Sequence, residues 1–340
     1  MILDGQSSLS IAAAAQALQR GELLGLPTET VYGLAADAIN DAAVDKIFLA
    51  KGRPANHPLI VHVADAQGVG RFASQIPEFA QKLMDAFWPG PLTLILPRRH
   101  DVAVTAAGGQ NSIGLRCPSH PIAHAILQNA QTLGVFGVAA PSANLFGRVS
   151  PTTANHVAQE LGDSLLIIDG GACNVGIEST IVDCTRTAPV LLRPGLLTPQ
   201  QLSEACGATV MTPRVTDVDT PRAPGTLESH YAPRAKVRLM ESGDLQQALD
   251  RYALAVNEPT NSGKVAVWSR HPVQLPSSKA SQFKCHAMPK EATECAHQLF
   301  AQLRDFDAQG VAYIWIETPP LTPEWDGVRD RLMRAAAPTR

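Results

Sequence analysis

The sequence predicts an α/β fold in two parts joined by a linker, and three observations predict it. Over residues 1–205, short apolar runs ended by Pro or Gly alternate irregularly with helical stretches. That pattern suits a twisted, mostly antiparallel or mixed sheet better than regular βαβ winding. Residues 206–235 hold four prolines, few large apolar residues and no periodicity, the composition of a linker. Residues 236–340 then alternate strand and helix evenly, which suggests a small layered α/β domain with a parallel sheet.

Taken in order, Ser10 to Arg20 reads as a helix with Ser10 as its candidate N-cap and Gly21 as its stop. Residues 22–26 read as a strand ending at Pro27, and residues 27–38, PTETVYGLAADA, as a polar turn. Asp41 to Ala50 reads as a helix, so that Lys51 opens the loop that follows. Leu59 to Val63 reads as a strand, 65–87 as helix broken near Pro77, and 92–96 and 112–118 as strands. A helix over Pro121 to Thr132 and a strand over Val135 to Ala140 lead to PSANLFGRVSPTT, residues 141–153, which opens a helix. Strands near 165, 180 and 190 complete the first part. Beyond the linker the expected order is strand 236–240, helix 244–256, strands 264–269 and 282–287, helix 290–306, strand 311–317 and helix 324–336.

Composition excludes several classes. Hydrophobic residues make up 45% and charged residues 17% of 340, enough for real cores in two domains. The net charge of −3 offers no global basic field, so an RNA partner would need a local patch. The six cysteines (117, 173, 184, 206, 285, 295) show no CxxC spacing and fit buried thiols in a reducing compartment rather than zinc or a disulfide framework. No apolar run approaches 18 residues and no signal peptide is evident, so the expectation is a cytoplasmic protein without a membrane span.

Four tracts carry chemistry. In KGRPANHPLIVHV, Pro54 and Pro58 stiffen a loop bearing Lys51 and Arg53, which suits polyphosphate. Taken alone, the tract is equally a solvated loop with a hydrogen-bonded core histidine at His62. Thr28, Glu29, Thr30 and Tyr32 follow a buried strand, where hydroxyls can read a small polar ligand or simply edge a sheet. Ser142, Asn144 and Ser150 gather hydroxyls, an amide and helix N–H groups into an anion or nucleotide seat, with capping by Ser150 or Thr152 as the bland reading. In the linker, APGTLESHYAPR, residues 223–234, places a His-Tyr pair between prolines, as a folding-back lid would.

These tracts, with GLRCP, GIESTIVD and LLRPG, occur in the order seen in the Sua5/YrdC/YciO family, and the chain resembles that family in its full-length, two-domain Sua5 form. The resemblance implies a YrdC-like catalytic domain over 1–205, a lid-forming linker over 206–235 and a Rossmann-like C-terminal domain over 236–340. It implies synthesis of L-threonylcarbamoyladenylate and pyrophosphate from ATP, L-threonine and bicarbonate for a tRNA modification. Hand-off to the threonylcarbamoyl-transfer machinery is expected with it. Lys51 and Arg53 match catalytic, ATP-binding positions, and His57, Ser142, Asn144, Ser150, Arg193, His230 and Tyr231 match further nucleotide positions. Thr30, His62, Arg116, Ser179 and Thr180 match threonine positions, Arg116 being the expected carboxylate partner. His57 and Phe146 depart from the family pattern, standing where asparagine and a small serine are common. Mg2+ is expected to be held mainly by ATP phosphates, with no protein metal site. The competing readings are an RNA-binding or ribosome-maturation module without adenylate synthesis, and another enzyme of carbamoyl transfer.

Overall fold

The computed structural model describes residues 1–212, 221–225, 230–255, 264–275 and 281–337, and the chain divides into two compact units. The first comprises Met1–Phe146 and Ser150–Thr226; the second comprises Gly147–Val149 and Leu227–Arg340.

The first unit is built on a ten-stranded mixed sheet. Its strands are β1 (Ile2–Asp4), β2 (Leu24–Leu26), β3 (Gly33–Asp37), β4 (Ile60–His62), β5 (Leu92–Pro97), β6 (Ser112–Arg116), β7 (Val138–Ala139), β8 (Leu166–Asp169), β9 (Thr180–Asp183) and β10 (Val190–Arg193). They lie in the order β1-β8-β2-β3-β7-β4-β6-β5-β9-β10. Helices α1 (Ser8–Gln19), α2 (Asp41–Lys51), α3 (Val69–Phe72), α4 (Glu78–Phe87), α5 (Pro121–Thr132), α6 (Ala154–Leu161) and α7 (Pro199–Cys206) connect them. Both faces of the sheet are covered. Along β3, Leu34 and Ala36 join one apolar cluster with α2 and α4, while Ala35 joins another with α1 and α5. Burial on both faces explains why the strands read as unbroken apolar runs rather than alternating ones.

Several boundaries depart from the sequence reading. Residues 33–37 form the strand β3, not a turn; alanine has low strand propensity, and the packing on both faces overrides it. The edge strand β1, parallel to β8 through Ile2 opposite Ile167, has too few residues to announce itself. Helix α1 starts at Ser8, two residues before the expected cap. Helix α6 starts at Ala154 with Thr153 as the cap, so neither Ser150 nor Thr152 serves that end. Lys51 is the last residue of α2, not the first of the loop. Gly52 follows with φ +63°, the left-handed C-cap that favours glycine, and turns the chain sharply before Arg53.

Part of the linker docks on the first unit. The Arg222 N–H donates to Gln110 Oε1 (2.8 Å), and Ala223 packs with Ile60, Ile95 and Ile181. The rest of the expected linker, over 213–220 and 226–229, lies outside the described residues.

The second unit is a parallel four-stranded sheet of β11 (Lys236–Met240), β12 (Val265–Ser269), β13 (Phe283–Ala287) and β14 (Tyr313–Glu317), in the order β11-β14-β12-β13. It carries α8 (Ser242–Ala255), α9 (Ala292–Ala308) and α10 (Asp326–Ala336). At the carboxyl end of β14, the buried Glu317 accepts from the Arg270 N (2.9 Å) and Nη2 (2.8 Å) and lies 2.7 Å from Ser269 Oγ and His271 Nδ1. Burial pushes its carboxyl up, but the Ser269 and His271 hydrogen bonds and the Arg270 charge outweigh it and hold the pKa at about 2. Among the described residues no helix is long and apolar enough to cross a membrane. All six cysteines are free; five are buried, but Cys285 on β13 is exposed, contrary to the reading that all are buried.

Two predictions follow from these contacts. A Cβ added at Gly195 would sit 2.6 Å from the Thr180 N and Oγ1. Gly195→Ala should therefore cost about 1–3 kcal/mol in a denaturant titration, by forcing the start of β9 to shift. Because the Glu317 pKa is depressed, its contribution to stability is complete above its ordinary value near 4.5 and is lost as pH falls toward 2. Glu317→Gln should flatten that part of the stability–pH curve of the second unit, read from urea midpoints at successive pH values.

Candidate active site

Of the residues expected at a nucleotide, Lys51, Arg53, His57, Ser142 and Asn144 come together around the end of α2. Lys51 is buried, and its Nζ donates to the backbone carbonyls of Ser142 (2.6 Å) and Asn144 (2.5 Å). The Phe146 N–H donates back to the Lys51 carbonyl at 2.8 Å, so helix end and loop hold each other. Burial, and then the charge of Arg53, pull the Lys51 pKa well below the usual lysine range, with Glu160 and Glu178 opposing. Arg53 is buried as well, donating from Nη2 to the Pro58 carbonyl at 2.9 Å. The two departures from the family pattern meet here. The His57 ring lies edge-on to Phe146 with centroids 5.6 Å apart, and the Arg53 guanidinium sits 5.6 Å from the same ring. Burial and the charges of Arg53 and Arg222 lower the His57 pKa, which keeps it neutral at pH 7.

Ser150 binds a group that the sequence analysis left out of the site, whereas Arg193 binds the expected Ser179 and the docked segment. Ser150 Oγ donates to Glu178 Oε1 at 2.5 Å, both residues being buried. Arg193 donates from Nε (3.0 Å) and Nη2 (2.9 Å) to the Ser179 carbonyl, and from Nη1 to the Pro224 carbonyl (2.9 Å). One guanidinium thus ties β10 to the turn before β9 and to the docked 221–225 segment.

Of the residues expected at an amino acid, Thr30, His62 and Arg116 form a second group, while Ser179 and Thr180 stand at the start of β9. The parallel register of β4 and β6 sets His62 opposite Arg116. Arg116 donates from Nη1 to Thr30 Oγ1 (2.7 Å) and from Nε to the Gly90 carbonyl (3.2 Å), and its Nη2 lies 2.6 Å from Glu29 Oε1. Thr30 Oγ1 is 2.9 Å from Thr28 Oγ1, and Ser179 Oγ is 2.7 Å from Thr93 Oγ1 on β5. Burial and the Arg116 charge hold His62 down at about 3, so it is a neutral imidazole at any physiological pH. Thr180 Oγ1 accepts from the Leu197 N–H at 3.2 Å.

His230 and Tyr231 belong to the second unit, with ring centroids 4.2 Å apart. Tyr231 packs at 5.3 Å from Phe300 and 5.7 Å from the Arg331 guanidinium. Its φ of +60° is unusual for a bulky residue and is held by this packing.

Glu29, Glu178 and Thr93 were not among the sequence-derived site residues. The available signal was a carboxylate inside each of two otherwise apolar and hydroxyl-rich turns, PTETV and GIEST. A buried carboxylate is costly unless something pairs with it.

Fold and site together define a two-unit α/β protein whose first unit carries a cation- and hydroxyl-rich seat at the ends of its strands. The chain belongs to the Sua5/YciO/YrdC family. The model of that family, described as telomere recombination, matches residues 16–195, and a second, described as the threonylcarbamoyl-AMP synthase C-terminal domain, matches residues 197–337. The threonylcarbamoyl-AMP synthase of Pyrococcus abyssi is 39% identical over 310 residues, 90% of this chain and 88% of that protein. That of Bacillus subtilis is 38% identical over 334 residues, 96% of this chain and 92% of the relative. Among solved structures, P. abyssi Sua5 complexed with L-threonine matches with a TM-score of 0.84 at 35% identity, covering 96% of this chain and 94% of that one. A P. abyssi Sua5 variant with a histidine and a tyrosine changed to alanine matches with a TM-score of 0.87 at 34% identity, covering 99% and 96%.

Lys51→Ala would strip two loop carbonyls of their buried donor. It is expected to cost about 1–3 kcal/mol of folding stability, measured by urea unfolding. An unchanged midpoint would show that the ammonium does not hold the loop.

Proposed function

We propose that this chain is an L-threonylcarbamoyladenylate synthase. It condenses L-threonine, bicarbonate and ATP and releases pyrophosphate, supplying the threonylcarbamoyl group for N6-threonylcarbamoyladenosine in tRNA. What carries the reading is membership of the family across both units, with relatives named threonylcarbamoyl-AMP synthase matched over 90% or more of the chain. A matching structure complexed with L-threonine supports the amino-acid end.

The chemistry needs enclosure more than a strong nucleophile. The threonine amine attacks the bicarbonate carbon, a C–O bond breaks and water leaves, giving a carbamate. A carbamate oxygen then attacks the ATP α-phosphorus, the bond from that phosphorus to the bridging oxygen breaks and pyrophosphate leaves. Carbamates and acyl adenylates hydrolyse readily, so keeping water out is worth more than an added side-chain group. Lys51 and Arg53 offset charge on the phosphates, while Ser142, Asn144, Ser150 and Arg193 position the nucleotide, with His57 beside Arg53. His230 and Tyr231 are further nucleotide-binding residues in this reading. Thr30, His62, Arg116, Ser179 and Thr180 hold the threonine.

A divalent ion, Mg2+ in this reading, neutralises phosphate charge when bound. In this reading the ion's oxygens come chiefly from ATP and water. Residues 1–205 form the catalytic domain, 206–235 the lid-forming linker and 236–340 the C-terminal domain. The enzyme works in the cytoplasm and passes its product to the tRNA threonylcarbamoyl-transfer machinery.

Incubation with ATP, L-threonine, labelled bicarbonate and Mg2+ should yield a labelled adenylate and pyrophosphate in equal amounts. Arg53→Ala should slow that turnover by roughly 30- to 1,000-fold, the loss of one charge-assisted contact in the transition state. Salt-dependent RNA binding with no ATP consumption would overturn the assignment in favour of an RNA-binding module.

A further inference from the structure

We propose that Glu29 is the counter-charge of the amino-acid seat: it makes the seat neutral, so that the seat takes a zwitterion and rejects the corresponding anion. The inference rests on the proposed function and adds to it the group that reads the substrate's α-ammonium.

Four buried polar atoms crowd one place without a well-aligned hydrogen bond: both carboxylate oxygens of Glu29, Nη2 of Arg116 and Nδ1 of His62. Most buried polar groups in native proteins are satisfied, so a cluster of this kind marks a place where a ligand completes the bonding. The Glu29 and Arg116 side chains are 7% and 4% exposed and 2.6 Å apart, but the contact is an ion pair without hydrogen-bond alignment. The other Arg116 groups are taken up by Thr30 Oγ1 and the Gly90 carbonyl, which fix the plane of the guanidinium. Nη2 keeps capacity for a second carboxylate, and the two Glu29 oxygens keep lone pairs for a further donor beside Arg116. An α-amino acid brings both partners, one atom apart.

The charge balance points the same way. Burial pushes Glu29 up, but the Arg116 charge and hydrogen bond outweigh it, and the amides of Glu29 and Ser119 add to the effect, so the carboxyl is ionised. His62 is neutral, burial lowers the His120 pKa, and burial raises the thiols of Cys117 and Cys173 so that they keep their protons. The fixed charges of the seat are then one minus and one plus. A zwitterion leaves that sum at zero, whereas an acid lacking the ammonium would bury an uncompensated negative charge.

The test compares L-threonine with 2,3-dihydroxybutanoate of matching stereochemistry, in which a hydroxyl replaces the ammonium, by calorimetry on the full chain. The wild-type protein should bind threonine at least 100-fold more tightly than the hydroxy acid. Glu29→Gln should weaken threonine about 10- to 100-fold and strengthen the hydroxy acid, because the buried Arg116 then lacks a counter-ion. Glu29→Asp, which keeps the charge, should keep the preference. If Glu29→Gln weakens both ligands equally, Glu29 only buttresses Arg116 and the proposal fails. Should Glu29→Gln not fold, the wild-type comparison decides alone, since equal binding of the two ligands overturns the proposal. Wild-type protein that binds neither ligand and makes no adenylate would refute the proposed function instead.

Discussion

A buried ammonium group underlies the arrangement of the first unit. Lys51 is 2% exposed, and an unpaired charge at that depth would be prohibitively costly. The backbone carbonyls of Ser142 and Asn144 take the place of water around it. The helix must end where it does for this to happen, and Gly52 in the left-handed region ends it. The loop must also present its carbonyls inward, and the bond from the Phe146 N–H to the Lys51 carbonyl keeps it there. Lys51 is thus a structural cation before it meets any substrate. The side chain is held in one place by these bonds, so a ligand reaching this corner under the proposed function would not have to order it.

The two halves of the site manage charge in different ways. Around Lys51 and Arg53 the contacts include backbone carbonyls and an aromatic ring, with Glu160 and Glu178 acting on Lys51 by charge. Around Arg116 the balance is carboxylate against guanidinium. That division suits one polyanionic and one zwitterionic ligand held in the same unit. Arg193 bridges toward the second group through Ser179 and also grips the Pro224 carbonyl, so the docked linker segment is anchored to a site residue and not to a distant surface.

Much of the fold was legible where punctuation or periodicity was strong. The helix over Pro121–Thr132 has the bounds that its N-terminal proline and apolar spacing suggest. The parallel sheet of the second unit follows from regular alternation, each element lying within about two residues of its expected bounds. Strand β3 was not legible, because Gly33–Asp37 lacks β-branched residues and gains its conformation from layers on both sides. The site was legible as tracts but not as pairings. Lys51 and Arg53 announce themselves beside prolines, whereas nothing local says that Glu29 faces Arg116 or that Ser150 binds Glu178. Such partners are far apart along the chain and close only in the folded sheet.

One surface detail has practical reach. Five of the six thiols are sealed inside the protein, and the sixth, Cys285, stands in the open on the outermost strand of the second sheet. Thiol chemistry on the native chain is thereby directed to a single address, far in sequence from every residue assigned to the reaction. A dye or spin label can be attached there without engineering, which gives a reporter on the C-terminal unit.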